Sequence, residues 1–261
     1  MDVYLDAVFY PRIYENKEIF MQEGWHYVLE NEEMPLTIKG VVYNEMKGAL
    51  SDPESILNNA ISRSLFPNIT YRFESGGNPD DIPNLTYENF LNFHKEYYHP
   101  SNSYIYLYGD MEIEKQLKWI DKEYLSKFQR KDFDIQIPLE EDFSDTVFLE
   151  DTFSVNGKED NIKNTFLSYN VRVGKSTNPT LIFTCDVLSY ILLETNASPL
   201  KKALIDADIA DEAECWFDSS SYDMVFSIIA KKSEKEKVLD FQNIIEKTLK
   251  NIIKNGIDKK S

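Results

Sequence analysis

Apolar residues at helical spacing and short runs of strict alternation divide the chain into elements, with Gly and Pro as punctuation. Val3, Tyr4, Ala7 and Val8 have helical spacing, and Pro11 closes that first segment. Residues 20–27 read as loop plus a short strand. Residues 39–48 read as a helix that stacks Val41, Glu45 and Gly48 on one face. Ser51-Asp52-Pro53 marks a strong helix start, with Asp52 as N-cap and Pro53 in the first turn. The stripe Ile56, Leu57, Ala60, Ile61 and Leu65 follows. Residues 66–85 carry enough Pro and Gly to predict loop. Thr86 caps the next helix, Leu85 and Phe90 are placed for a hydrophobic staple, and His99-Pro100 ends it.

Residues 103–108, SYIYLY, alternate cleanly, with Tyr104, Tyr106 and Tyr108 on one face and Ile105 and Leu107 on the other. That pattern predicts a half-buried strand, its tyrosine row packed between sheet and helix. A helix after Gly109-Asp110 presents Ile113, Leu117, Ile120 and Tyr124 inward. The sequence then turns polar and acidic, which places a linker at 131–145 between units at 1–130 and 146–261.

The second half repeats the style. A strand is expected over 164–173, a helix from Asn178-Pro179 through Leu193, and a short helix from Ser198-Pro199 to about Asp206. Residues 214–218 and 222–230 read as a hairpin. Ser233 is expected to cap a last helix carrying Val238, Phe241, Ile244, Ile245, Leu249 and Ile252, with Gly256 just past its end. The fold class is α+β, each half an antiparallel sheet with helices on one face.

Composition narrows the function classes. The chain has 261 residues, 42% hydrophobic and 13% aromatic, which is the make-up of a packed globular protein and not of a disordered one. No apolar run is long enough to span a membrane, and the N-terminus has no basic segment before an apolar one. Against 28 Lys and Arg stand 45 Asp and Glu, a net charge of −17. That balance argues against nucleic acid and anionic membrane as partners, since both need a basic footprint. Cys185 and Cys215 follow no metal-ligand spacing and read as buried free thiols of a reducing, cytoplasmic compartment.

The chemistry is sparse. His94 and His99 are five apart, and helical residues five apart do not share a face, so a zinc pair there is disfavoured. His26 is a lone histidine and reads as structural. Gly76-Gly77 offers an anion nest or a plain loop, with the loop favoured. Position alone leaves Glu45 either on a solvated face or turned inward to a partner; the rarity of unpaired buried Glu favours the solvated face. Motif grammar finds no complete catalytic constellation.

Several stretches together resemble one family. VYLDAVFYP (3–11), QEGWHY (22–27), GVVYNEMKG (40–48), the long block from LFPNITYRFESGG to YIYLYGD (65–110) and NASPLKKALIDADI (196–209) are similar to the presequence-protease branch of the pitrilysin and insulysin metallopeptidases, the group that includes falcilysin. The resemblance covers nearly the whole chain. It implies two-layer α/β sandwich units, four in a complete member, closing around a chamber where unfolded peptides are cut with one Zn2+. In that family the metal is held by two histidines of an inverted HxxEH motif and by a distal glutamate. The glutamate between the histidines is the general base. The resemblance maps the distal metal ligand onto Glu45.

HxxEH is absent, and its place in the family falls upstream of Met1. The resemblance therefore implies a first unit truncated at its N-terminus and a second truncated at its C-terminus, with Met1 an internal methionine of a longer frame. It implies a fragment inactive alone, with no catalytic residue of its own and no tight zinc binding. Two alternatives stand beside it: a subunit supplying Glu45 to a polypeptide that carries HxxEH, and a non-catalytic module that binds unfolded peptides. Exposed sheet edges would make such a piece poorly soluble or oligomeric.

Overall fold

A computed structural model describes residues 1–155 and 163–257. In chain order its helices are α1 (Asp2–Phe9), α2 (Lys17–Glu23), α3 (Val41–Ala49), α4 (Pro53–Leu65), α5 (Tyr87–Tyr97), α6 (Ile113–Glu123), α7 (Pro179–Ser189), α8 (Pro199–Asp206) and α9 (Val238–Asn255). The strands are β1 (His26–Val28), β2 (Thr37–Lys39), β3 (Thr165–Lys175), β4 (Glu212–Asp218) and β5 (Asp223–Ser233). Two compact units form, and they interleave along the sequence. One comprises Met1–Asp52 and Glu74–Leu139; the other comprises Pro53–Phe73 and Glu140–Ser261.

The first unit is mostly helical. Leu5 and Phe9 of α1 pack with Ile120 and Tyr124 from the end of α6, and Leu107, Trp119 and Phe128 close around them. The Tyr124 hydroxyl donates to the Asp2 carbonyl at 2.9 Å and to its carboxylate at 2.5 Å, which fastens the start of α1. The buried set of α1 is thus offset from the expected one, since Val3 and Tyr4 face solvent. Ile113 and Leu117 of α6 are exposed too, against the expectation that they face inward. The expected loop at residue 20 is helical: Asn16 accepts from the Glu18 amide to cap α2, and buried Phe20 meets the rings of Tyr87 and Phe90. Thr86 caps α5 in a full capping box with Asn89.

Residues 103–108 correct a firmer expectation. No strand forms there, because none of the described strands lies alongside to accept the ladder. Nor do the tyrosines pack in a core: Tyr104, Tyr106 and Tyr108 are 105, 85 and 88% exposed.

The second unit is built on an antiparallel sheet of order β3-β5-β4. Central β5 is buried on both faces, so it reads as a near-continuous apolar run, Met224 to Ala230. On one face Phe226, Ile228 and Ala230 meet Leu200 and Leu204 of α8 and Phe241 and Ile245 of α9. Each fully buried Leu, Ile or Phe among them contributes about 1.5–3 kcal/mol. On the other face Val225 packs with Ile61 and Leu65 of α4 and with Phe66 and Ile69. Gly174 lies at a bulge in β3, where the register with β5 shifts between Arg172 and Gly174 before pairing continues to Lys175. Its φ of +125° suits glycine, and an added Cβ would lie 2.7 Å from Leu181.

Asn178 caps α7 by accepting from the Leu181 amide, and α7 runs on through a π-turn, Tyr190–Glu194. Ser233 is no helix cap. It ends β5, fully buried, its hydroxyl donating to the Ile209 carbonyl, and α9 begins only at Val238. The acidic stretch after residue 130 contains no regular element but plunges inward at Glu140, which is buried. Its carboxylate accepts from the Asn68 amide at 2.9 Å and from the Asn68 side chain at 2.7 Å. Arg172 donates to the Glu140 carbonyl at 3.0 Å, so one knot ties the 53–73 segment to the sheet.

Candidate functional site

Glu45 lies where the sequence places it, on a helix, and its carboxylate is exposed. The elements that hold α3 explain how a short helix keeps its place. The hairpin of β1 and β2, with Tyr27 opposite Ile38, delivers the chain into Gly40. Gly40 is the N-cap of α3 and touches the end of α2: a Cβ there would lie 2.1 Å from the Gly24 carbonyl oxygen. Only glycine allows that approach. The Tyr43 amide reaches the same Gly24 carbonyl at 3.4 Å. One residue beyond Glu45, Met46 turns inward and is buried against Gly76, where a Cβ would lie 2.2 Å from the Met46 sulfur. Gly76 therefore serves close packing beneath α3, and Gly77 turns the chain at φ +92°.

Glu45, one residue before the inward-turned Met46, is exposed. It makes no hydrogen bond or ion pair with any described residue. An exposed carboxylate in this position is solvated. Catalytic zinc uses three protein ligands and an open position. Among the described residues no group of three His, Cys, Asp or Glu could hold a metal.

The histidines are committed elsewhere. His94 Nε2 lies 2.9 Å from the Val8 carbonyl, which can only accept, so that nitrogen carries the proton. Its Nδ1 then accepts from the Tyr14 hydroxyl at 2.8 Å, and the ring stacks on Tyr98. Burial pushes the Tyr14 phenol above its usual value, which keeps it a donor. His99 Nδ1 accepts from the Ser101 amide, and His26 Nδ1 donates to the Met21 carbonyl at 2.7 Å. The sequence signalled none of these tertiary partners. Cys185 is buried and Cys215 half-buried, both free. Burial, followed by the neighbouring Cys185 and nearby glutamates, pushes the Cys215 thiol up to about 12, far from a reactive thiolate.

Comparison with known proteins gives these residues a context. The family model described as "Peptidase M16 inactive domain" matches residues 84–261. "Protein HypA" of Clostridium perfringens is 48% identical over 259 residues, 99% of this chain and 27% of that protein. "Presequence protease 1, chloroplastic/mitochondrial" of Arabidopsis thaliana is 36% identical over 262 residues, 99% of this chain and 24% of that protein. Among solved structures, a protease from Helicobacter pylori superposes with a TM-score of 0.55 at 22% identity, covering 84% of this chain and 52% of that one, which is a likeness of fold. The chain spans about a quarter of the length of the curated relatives it matches.

Proposed function

The chain belongs to the M16 peptidase family, and from that premise we propose that it is one part of a presequence-protease-like zinc metalloendopeptidase acting on unfolded peptides. In this reading Glu45 is the distal zinc ligand, and the two histidine ligands and the general base come from a polypeptide segment outside this chain. The observation that carries it is the placement of Glu45. Its helix is fixed by two glycine contacts and a buried methionine, none of which uses the carboxylate. A scaffold that precise under a solvent-facing ligand suits an oxygen held ready for a metal. When bound, zinc would supply a nucleophilic water at neutral pH by lowering its pKa. This chain's own contribution would be to hold one anionic oxygen in place.

Alone, the chain neither binds zinc tightly nor cleaves peptides, because one ligand of three gives weak binding and no residue here serves as base. The test is to incubate purified chain with an unfolded peptide, with and without chelator, and to repeat it after adding a polypeptide that carries the HxxEH segment of a relative. We expect chelator-sensitive hydrolysis only in the mixture, and its loss with Glu45→Gln. Hydrolysis by the chain alone that disappears with Glu45→Gln would sink the proposal.

The complementing-subunit reading shares the same ligand and differs only in where HxxEH is encoded; an adjacent reading frame carrying it would favour that form. A non-catalytic peptide-binding module is supported by the exposed tyrosine row, and saturable peptide binding without zinc-dependent hydrolysis in the mixture would select it. We place the protein in the cytoplasm, on the strength of two free thiols. No helix among the described residues is long and apolar enough to cross a membrane.

A further inference from the structure

We infer that Asn255-Gly256, at the end of α9, is a site of spontaneous covalent modification. The asparagine closes on the glycine nitrogen to a succinimide, which opens to aspartate or isoaspartate, and the last turn of the helix gates the reaction.

The chemistry needs two groups on adjacent residues. The backbone nitrogen of the second residue attacks the side-chain carbon Cγ of the asparagine. Its proton passes to hydroxide, and Nδ2 leaves as ammonia. Water then adds to one of the two ring carbonyls. Opening on one side gives aspartate; opening on the other gives isoaspartate, whose main chain runs through the side-chain carbons. A Cβ on the residue that supplies the nitrogen crowds the ring, so glycine favours its closure. The sequence holds this pair at Asn255-Gly256 and at Asn156-Gly157, the second outside the described residues.

The end of α9 restrains both reacting groups. The Gly256 amide, which supplies the attacking nitrogen, donates to the Ile252 carbonyl at 2.8 Å. Asn255 Nδ2, the leaving nitrogen, donates to Asn251 Oδ1 at 2.6 Å, one turn back. Ring closure turns the peptide unit between residues 255 and 256 out of the helical well, which breaks the first bond. Swinging Cγ onto the nitrogen breaks the second. The restraint is small, however. Asn251, Asn255 and Gly256 are exposed, Ile253 is 85% exposed, and Ile252 alone in that turn packs against the core. Helix ends of this kind open with free energies near zero. The pair is therefore released often enough to react in the folded chain. The product places a carboxylate among the last carbonyls of α9, whose partial charge is also negative, so the modified turn closes less well.

The experiment ages the purified chain at pH 8 with and without urea. Peptic digestion in acid and electron-transfer fragmentation then separate asparagine, aspartate and isoaspartate residue by residue. We expect both products at position 255 in the folded chain. Asn251→Val removes the acceptor while keeping a similar helix propensity, and should speed conversion about two- to tenfold. Gly256→Ala should abolish it. Three results overturn the inference: residue 255 stays asparagine in the folded chain while it converts in urea, aspartate forms without isoaspartate, or Asn251→Val converts no faster than the native chain.

Discussion

Glu140→Gln tests the knot that ties the 53–73 segment to the sheet of the second unit. Glutamine keeps the shape of glutamate but offers one acceptor oxygen where the carboxylate offers two. Asn68 presents two donors, its amide at 2.9 Å and its side-chain nitrogen at 2.7 Å, so in the variant one of them faces an NH2 group. A hydrogen bond to a charged group is worth about 1.5–3 kcal/mol, and losing one beside a buried donor falls in that range. Nearby solvent screens part of it, so we expect about 2 kcal/mol of destabilisation at pH 7, a shift of several degrees in melting temperature.

The pH dependence carries the sharper prediction. Burial raises the Glu140 carboxyl, but the two Asn68 donors and the Arg172 guanidinium outweigh it, and the net shift is downward from 4.5. A depressed acid contributes stability that is fully present above its unfolded value and is lost as pH falls through its folded one. The gap between native chain and Glu140→Gln should therefore be constant at neutral pH and narrow below about 4.5 as the native carboxyl protonates. Urea unfolding of both proteins across that range is the assay. An equal gap at pH 7 and at pH 3, or no gap at either, would refute the knot.

Three further outcomes are expected. Gly40→Ala drives a Cβ to within 2.1 Å of the Gly24 carbonyl oxygen, so unit-local unfolding should ease by about 3 kcal/mol, seen as faster amide exchange in α3. Cys215, with its thiol pushed up to about 12 by burial, should resist an aromatic disulfide reagent at pH 8 until denaturant is added; rapid labelling of the native chain would contradict its packing. Glu45→Gln should change stability by no more than about 0.5 kcal/mol in thermal melts, as for other exposed positions without partners, and a larger loss would show a structural role for the carboxylate.

Much of the fold was legible because its cues are local. The caps at Thr86 and Asn178 and the Pro start of α8 each need only three or four neighbouring residues, and all three elements begin where those residues stand. What failed was non-local. The alternation of residues 103–108 describes a strand's faces but cannot name its partner, and none of the described strands pairs with it. Ser233 looked like a cap because capping residues and buried strand-end hydroxyls share a chemistry; only the Ile209 carbonyl, 24 residues away, decides between them. The same holds for His94, whose partners lie 80 and 86 residues off in sequence. The packing of 53–73 with the rest of its unit depends on Glu140 and Val225, which no window around α4 contains.

Glu45 joins these two kinds of legibility. Its helix was readable from spacing, but spacing left its orientation open. The structure decides that point: Met46 is buried against Gly76 on one face of α3, and the Glu45 carboxylate is exposed. The role proposed for it came only from resemblance, because a single ligand has no pattern; a zinc site becomes recognisable when its partners are present. A carboxylate whose removal is expected to be silent in folding, yet whose helix is seated by a backbone approach at Gly40 that tolerates no added methyl, is a position where structural and chemical demands are separate. That separation makes Glu45→Gln informative: any effect it has in the presence of a complementing polypeptide must come from the chemistry, since the scaffold does not use the side chain.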